Sequence, residues 1–449
     1  MNLLSIPWIR AALRSRFYPA SFQWLTAAAF VVIVFSVLFA PNNSGQNLGM
    51  ALAWTVWWPL LPLSFILLGR FWCAICPLAW FMDRAQNTVG VRLKVPRFLR
   101  CHEPWIIAAL FVLVTFVDEA WRLQNDARLT GYLLLAVLTV AIFFAAYFER
   151  RTFCRYVCFI GGFAANYSRA GILQLRSDPD RCRDCCTQDC YEGTKRFRGC
   201  PVFLSAPTIA DSGTCHLCGN CVKNCPHDAI RISIQGPTTE LCEISQPRLA
   251  YALLAGIVMG VVLIEQVTLL HSWNPLLEAT GGLLHVDPYA WYPLVYGVLL
   301  VTFMAVPLIG LVLAGLLSQA LDGVLRRTEV LQNITTFGYA IIPLALASHV
   351  AYGLYHFLTQ SRTVPFAFLA LVGRFPSGNH PQWLARSAVF QIEIAVLALG
   401  AAGSLYVAYR LARARGRGSA WTAFLSHGLL LLALLAANLF VVYTMLRQI

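Results

Sequence analysis

Apolar residues run along this chain in long blocks rather than in one-sided stripes, and the blocks set its architecture. Nine stretches, near 22–40, 48–69, 104–120, 130–148, 248–269, 291–317, 335–359, 388–411 and 424–446, approach or exceed the roughly 20 residues that a helix needs to cross a bilayer. The block near 104–120 is the shortest and ends in Asp118-Glu119. Four blocks precede a polar, cysteine-rich segment at 172–245, and five follow it. The pattern predicts an all-α polytopic membrane protein with a small inserted α+β domain. Its parts are a membrane domain over 1–171, the polar domain over 172–245 and a second membrane domain over 246–449. No Ser/Gly-rich linker, low-complexity tract or convincing internal repeat is visible. Residues 1–17 read as an amphipathic helix on the membrane surface, with Trp8 and Phe17 at headgroup depth. The first apolar run is long and lacks a clear A-x-A end, which argues against a cleavable signal peptide.

Composition agrees with this plan. The chain is 58% hydrophobic and 12% charged, whereas soluble domains carry about 25% charged residues. Charge adds an orientation. If the loops alternate sides, 28 of the 34 lysines and arginines fall on the side that holds the N-terminus and the polar domain. Basic residues favour the cytoplasmic face, so the N-terminus and the polar domain are expected in the cytoplasm, at a bacterial inner membrane. The net charge of +13 then follows from topology and attraction to anionic lipid. No nucleic-acid module, GxGxxG, P-loop or nucleophile constellation is present, which disfavours nucleic-acid binding and hydrolytic or nucleotide-dependent catalysis.

The polar segment changes the picture from a membrane protein to a redox one. Cys215-His-Leu-Cys218-Gly-Asn-Cys221-Val-Lys-Asn-Cys225-Pro226 has the spacing C-x₂-C-x₂-C-x₃-C-P of a bacterial ferredoxin. In that run three thiolates hold one [4Fe–4S] cube and the fourth holds another. A looser partner run, Cys182, Cys185, Cys190 and Cys200-Pro201, lies just upstream, and Cys186 competes with Cys185 for its place. One cluster is therefore assigned to Cys182, Cys185, Cys190 and Cys225, and a second to Cys215, Cys218, Cys221 and Cys200. Zinc sites favour separated C-x₂-C pairs over two runs ending in Cys-Pro.

Fifteen cysteines on a cytoplasmic face point to metal ligation rather than disulfides. Cys73 and Cys76 follow the second apolar block, and Cys154 and Cys158 follow the fourth, each pair preceded by arginine and an aromatic residue. Spacings of three and four would put each pair on one face of a helical turn. Four thiolates at one depth would hold a third [4Fe–4S] cluster, with copper as the lesser alternative and plain buried cysteine as the bland one. Cys101, Cys186 and Cys242 carry no assignment.

These pairs, followed by a ferredoxin module, resemble the NapH, NosR and CcoG group of membrane-bound polyferredoxins over roughly residues 60–235. Members of that group carry C-x₃-C-P twice. Here the first pair is one residue shorter, and Phe159 stands where proline is expected. The resemblance implies electron transfer between the quinone pool and a redox partner such as a ferredoxin, a cytochrome or an oxidoreductase subunit. In that role the chain would be a component of a quinol dehydrogenase or quinone reductase, within a membrane complex. The alternative it implies is CcoG-like copper reduction or assembly of redox enzymes. The chain has only six methionines, few for copper capture.

The C-terminal half carries a second signal. His349 and His356 lie seven residues apart, nearly on one helix face. Histidine within a membrane is a functional candidate, here as a haem b ligand or a quinone partner. A haem would need a histidine from another helix: His271 matches best in depth, with His285 and His427 as further candidates. Glu265 and Glu393 would exchange quinone protons, or else bond each other to hold helices together. Lys195, Arg196, Arg198 and Lys223 form a basic surface for an acidic partner. Gly281-Gly282 and the segment 365–381 read as turns; Phe366, Phe368, Phe375 and Trp383 offer a lid, a docking surface or an aromatic belt. Asn42-Asn43-Ser44 matches a glycosylation acceptor by chance spacing.

Overall fold

In a computed structural model, which describes residues 2–42, 46–183, 185–244, 246–323, 326–371, 373–374, 384–415 and 420–448, the chain is almost wholly helical with one two-stranded sheet. Nine helices among the described residues are long and apolar enough to cross a membrane: Ala20–Phe39, Leu48–Leu68, Arg97–Ala120, Ala127–Tyr147, Leu249–Val267, Tyr292–Leu321, Arg327–Gln360, Arg386–Arg413 and Ala420–Arg447. Each predicted block is therefore a span. The weakest, the third, begins seven residues earlier than its apolar run because the helix continues through Pro104 into the basic stretch Arg97–His102. The chain divides into two compact units, one formed by 1–40, 63–110 and 128–245, the other by 41–62, 111–127 and 246–449.

The first unit contains the ferredoxin-like fold. Strand β1 (Leu173–Ser177) pairs antiparallel with β2 (Ile230–Ile234), with Leu175 opposite Ile232. Leu175, Ile230 and Ile232 point into a core shared with Leu4, Ala206, Ile209, Leu217 and Val222, and Cys190, Cys215, Cys221 and Cys225 pack against it. Leu4 comes from the N-terminus. Residues 1–17 do hold a helix, Pro7–Arg14, and Trp8 and Phe17 are exposed. However, the segment is a strap on the ferredoxin fold as well as an amphipathic helix. The Asn2 side chain accepts from the Ile232 N–H at 3.2 Å, and both Arg10 and Arg14 pair with Asp228.

The second unit is organised around two central spans. About 78% of the fifth span's most apolar stretch is buried, and 89% of the seventh's, against 28% for the sixth. Small residues allow the close approach: a Cβ on Gly260 would meet the Phe303 carbonyl at 2.4 Å. A buried polar chain adds to it. Gln266 donates to the Ser348 hydroxyl at 3.2 Å, and Ser348 donates to Asn438. Gly281 and Gly282 are not a turn: they close the helix Trp273–Leu284, whose cap is His285. Likewise Phe366 and Phe368 lie in a helix, Thr363–Leu371, rather than in a turn. Phe375, Trp383 and the Asn43-Ser44 part of the acceptor match fall outside the described residues.

Candidate iron-sulfur sites

All twelve assigned cysteines belong to the first unit. Cys182, Cys185, Cys190 and Cys225 line one pocket, together with Ala206 and Ile230 from the core. Within it Cys190 faces Cys225, Cys185 and Cys182 as electrostatic neighbours. Cys186 is exposed and is not among the residues lining this pocket, whereas Cys185 is. The second set is equally compact. Cys221 is opposed by Cys215, Cys218 and Cys200, and next by Cys190 of the first set. The two sets are therefore adjacent through Cys190 and Cys221.

The local backbone aims N–H groups at these sulfurs. Leu217 N–H donates to Cys215 Sγ at 3.4 Å, and Ala229 N–H to Cys225 Sγ at 3.3 Å. Gly219 (φ +74°) sets the left-handed turn that starts the short helix Asn220–Asn224, and a Cβ there would meet the Tyr18 ring at 3.0 Å. Tyr18, which sequence reasoning missed, seals this side. Its hydroxyl donates to the Leu217 carbonyl at 2.6 Å, and Lys223 donates to its carbonyl. No sequence signal marked it, because it precedes the first span and contacts a loop 199 residues away.

The two membrane-proximal pairs also converge. Cys158 has Cys154, Cys73 and Cys76 as electrostatic neighbours. The expectation of one helical turn per pair needs correction. Cys73 is the third residue of a five-residue helix, Phe71–Ile75, and Cys76 lies beyond it as the N-cap of Pro77–Val89. Cys154 is likewise third in Thr152–Tyr156, and Cys158 caps Phe159–Arg169. The extra residue in the second pair is Val157, which sits between the short helix and the cap. Phe159 takes the first helical position as Pro77 does. Gln23 and Thr26 of the first span donate to the Ala74 and Ile75 carbonyls, closing the end of the first short helix.

Arginines surround this third set. Arg151 is buried, bonds Cys154, and pairs with Asp83 at 2.7 Å, while Arg150 reaches Asp83 at 3.4 Å. Arg70, also buried, donates to the Gly213 carbonyl at 2.6 Å and acts on both Cys154 and Cys215. Asp83 was missed; its signal is only a carboxylate seven residues after Cys76. Burial pushes the Cys76 thiol up to about 12, and Cys154 and Cys73 add to the shift. Burial likewise raises Cys154, against the pull of Arg151. Thiols this reluctant to ionise alone suit a cationic iron-sulfur core, whose binding expels their protons. Among the described residues no group of three His, Cys, Asp or Glu side chains converges on a single metal ion. A cube spreads its four ligands over four corners, so this does not exclude one.

Residues 209–231 match a family described as a 4Fe-4S binding domain, and residues 50–96 and 130–176 match a second family of the same description. The chain carries 4Fe-4S binding domains. The two matches of one family also correct the expectation of no repeat, for each spans a membrane helix and its cysteine pair. The uncharacterized protein MJ0749 of Methanocaldococcus jannaschii is 24% identical over 176 residues, covering 38% of this chain and 67% of its own. The uncharacterized protein MJ0750 of the same organism is 22% identical over 186 residues, 37% of this chain and 74% of its own. No solved structure matches the chain.

The other candidates fare unevenly. His349 is buried beside Trp58 with ring centres 6.1 Å apart, whereas His271 and His285 are exposed. His356 packs edge-on to Tyr352, and Gln360 meets its Nδ1 at 3.1 Å. His427 stacks on Phe337 and its Nδ1 bonds the Ala423 carbonyl at 2.8 Å. Among the described residues no hydrogen bond joins Glu265 to Glu393, and Glu393 keeps a buried, unpartnered oxygen. Of the basic surface, Lys223 and Arg198 are used internally, Arg198 donating to Asn87 at 2.7 Å.

Proposed function

We propose that this chain is a multi-pass membrane protein that passes electrons between the quinone pool and a protein redox partner through three [4Fe–4S] clusters. The ligands would be Cys182, Cys185, Cys190 and Cys225; Cys215, Cys218, Cys221 and Cys200; and Cys73, Cys76, Cys154 and Cys158. When bound, the clusters supply one-electron storage. The protein supplies the thiolates, N–H donors that stabilise their charge, and arginines that offset it.

The single observation behind the reading is the succession of cysteine sets within one unit. Cys190 faces Cys221 between the first and second sets, and Arg70 acts on both Cys215 and Cys154 between the second and third. Adjacent sets suit a relay better than isolated structural sites. The proposed cytoplasmic face for the ferredoxin segment rests on the basic-residue asymmetry, and the exposed Lys195 and Arg196 remain the docking surface for an acidic partner.

The test is anaerobic purification with iron, sulfide and copper analysis, followed by quinol addition to membranes under EPR. Three clusters per chain, reduced or oxidised on quinol or quinone addition, support the proposal. Clusters inert to quinone remove its membrane partner, and stoichiometric copper in place of iron favours a copper-handling role. A reduced-minus-oxidised α-band would support haem b with His349 or His356 as one ligand, and its absence removes the haem reading of both.

A further inference from the structure

The second unit gathers carboxyl and phenol groups where several of its elements end. Asp118 and Glu119 close the helix Arg97–Ala120, Glu265 lies in the last turn of Leu249–Val267, and Tyr292 begins Tyr292–Leu321. Asp118 and Glu119 are the electrostatic neighbours of Glu265, and all three act on Tyr296 and on Tyr352 of the seventh span.

The partners within the cluster are unequal. Glu119 is well supplied: Tyr292 donates to it at 3.3 Å and Gln124 at 3.0 Å, and Arg122 lies beside it with its guanidinium 5.2 Å from the Tyr292 ring centre. Asp118 takes the Gln124 backbone N–H on one oxygen, but its Oδ1 is buried without a partner. The Tyr296 hydroxyl is also unpartnered, on a side chain with 0% exposure. Rings fix Tyr296 in place, with Phe116, Trp273 and Tyr292 centred 6.2, 6.3 and 6.0 Å away.

Charge counting gives this arrangement its meaning. Among the described residues Arg122 is the cation that acts on these three carboxyls, and it sits at Glu119. Ionising Asp118 and Glu265 as well would leave two neighbouring negative charges uncompensated among apolar groups, which costs several kcal/mol per ion. Carboxyls so placed hold a proton between them, as like charges at close range cannot all ionise. The orphan Tyr296 hydroxyl matches that state, since it can donate to a carboxylate or accept from a carboxylic acid.

We propose that Asp118, Glu119 and Glu265, with Tyr296 as their hydrogen-bonding companion, form a proton-binding site in this membrane unit. The step is a simple transfer: a carboxylate takes a proton from a hydrated proton, leaving a carboxylic acid and water, and no electron moves. Electron relay alone has no use for such a site. It stands apart from the cluster reading, because none of its residues lies in the cysteine-bearing unit.

Infrared spectroscopy of the full-length, cluster-loaded protein reads protonated carboxyls through their carbonyl band. Wild type should show that band at neutral pH, with a shift in heavy water. Glu265→Gln should remove part of it, whereas Glu278→Gln, at an exposed position, should leave it unchanged. Tyr296→Phe should shift the band's frequency and its titration midpoint while the iron-sulfur EPR stays as in wild type. A neutral-pH spectrum without the band overturns the proposal. So does a band that Glu265→Gln leaves undiminished, or, where that variant fails to fold, one that Tyr296→Phe leaves unmoved.

Discussion

Cys76 and Cys158 hold the same place in two copies of one structural phrase, each standing as the N-cap of a helix just after a five-residue helix whose third residue is cysteine. The Ala79 N–H donates to the Cys76 carbonyl at 3.0 Å and the Gly161 N–H to the Cys158 carbonyl at 2.9 Å, so both cap backbones close in the same way. A helix N-terminus favours a thiolate beside it through its partial positive charge. Equivalence of position predicts equivalence of role. Cys76→Ser and Cys158→Ser should each cut iron from about twelve to about eight atoms per chain, one cube of four. Metal analysis with EPR checks this: the two ferredoxin-type signals should persist, and unchanged iron would assign both cysteines to packing.

The charge balance at the third set predicts opposite shifts. Arg151 is 5% exposed at its side chain, bonds Cys154 and pairs with Asp83. Removing that cation in Arg151→Gln makes a cluster there harder to reduce, so its potential should fall. Asp83→Asn removes a negative charge, so the potential should rise. Potentiometric EPR reads both, and shifts of the same sign would mean that geometry rather than charge had changed.

Asp83 also gives a stability prediction with a definite sign. Burial alone would raise its carboxyl, but Arg151 and Arg150 outweigh burial and hold it below the usual carboxylate range. A carboxyl depressed in the folded state contributes stability above its unfolded value of about 4 and loses it as pH falls through the folded value. Breaking a buried pair from one side costs about 3 kcal/mol or more. Acid titration of wild type should therefore show stability falling away below about pH 4, as Asp83 is protonated and its pairing with Arg151 and Arg150 is lost. In Asp83→Asn that pH-dependent part should vanish, along with overall stability at neutral pH.

Much of this was legible in the sequence. The nine blocks became nine spans because lipid demands continuous apolar helix, and the demand is written directly in composition. The ferredoxin run was legible because cubic ligation fixes spacing. What escaped was everything set by tertiary contact. Nothing local says that Gln23 will close the helix bearing Cys73, that Arg70 will act on sulfurs from two sets, or that Tyr18 will cover Gly219. The repeat escaped because its copies share backbone geometry while differing in cysteine spacing, and Val157 absorbs the difference. The histidines read from a helical wheel proved unequal once burial was known, with His349 enclosed and His271 exposed.

The N-terminal strap offers a prediction on the ferredoxin fold itself. Leu4 is buried in the core with Leu175, Leu217 and Ile232. Leu4→Ala should destabilise that core by about 2–3 kcal/mol. Hydrogen exchange should report it as faster opening of β2, whose Ile232 N–H is bonded by Asn2. The ion pairs of Arg10 and Arg14 with Asp228 are partly exposed, so their loss in Asp228→Asn should cost less, at most about 1 kcal/mol, and less still at high salt.

The second unit rests on close helix approach, and at Gly260 an added Cβ would meet neighbouring backbone rather than side chain. A Cβ there would lie 2.4 Å from the Phe303 carbonyl oxygen and 2.5 Å from Met304 Cα, both backbone atoms that cannot swing aside. Gly260→Ala must then push the fifth and sixth spans apart, opening contacts along a span that is largely enclosed. Overpacking of this kind costs about 1–3 kcal/mol. Gly282, with open space around its Cβ position, supplies the control. Thermal unfolding in detergent should therefore show Gly260→Ala melting lower while Gly282→Ala stays near wild type. Because the assigned cysteines all lie in the other unit, cluster absorption should be retained below that transition. Equal melting of the two variants would mean that the fifth and sixth spans are not held at this distance.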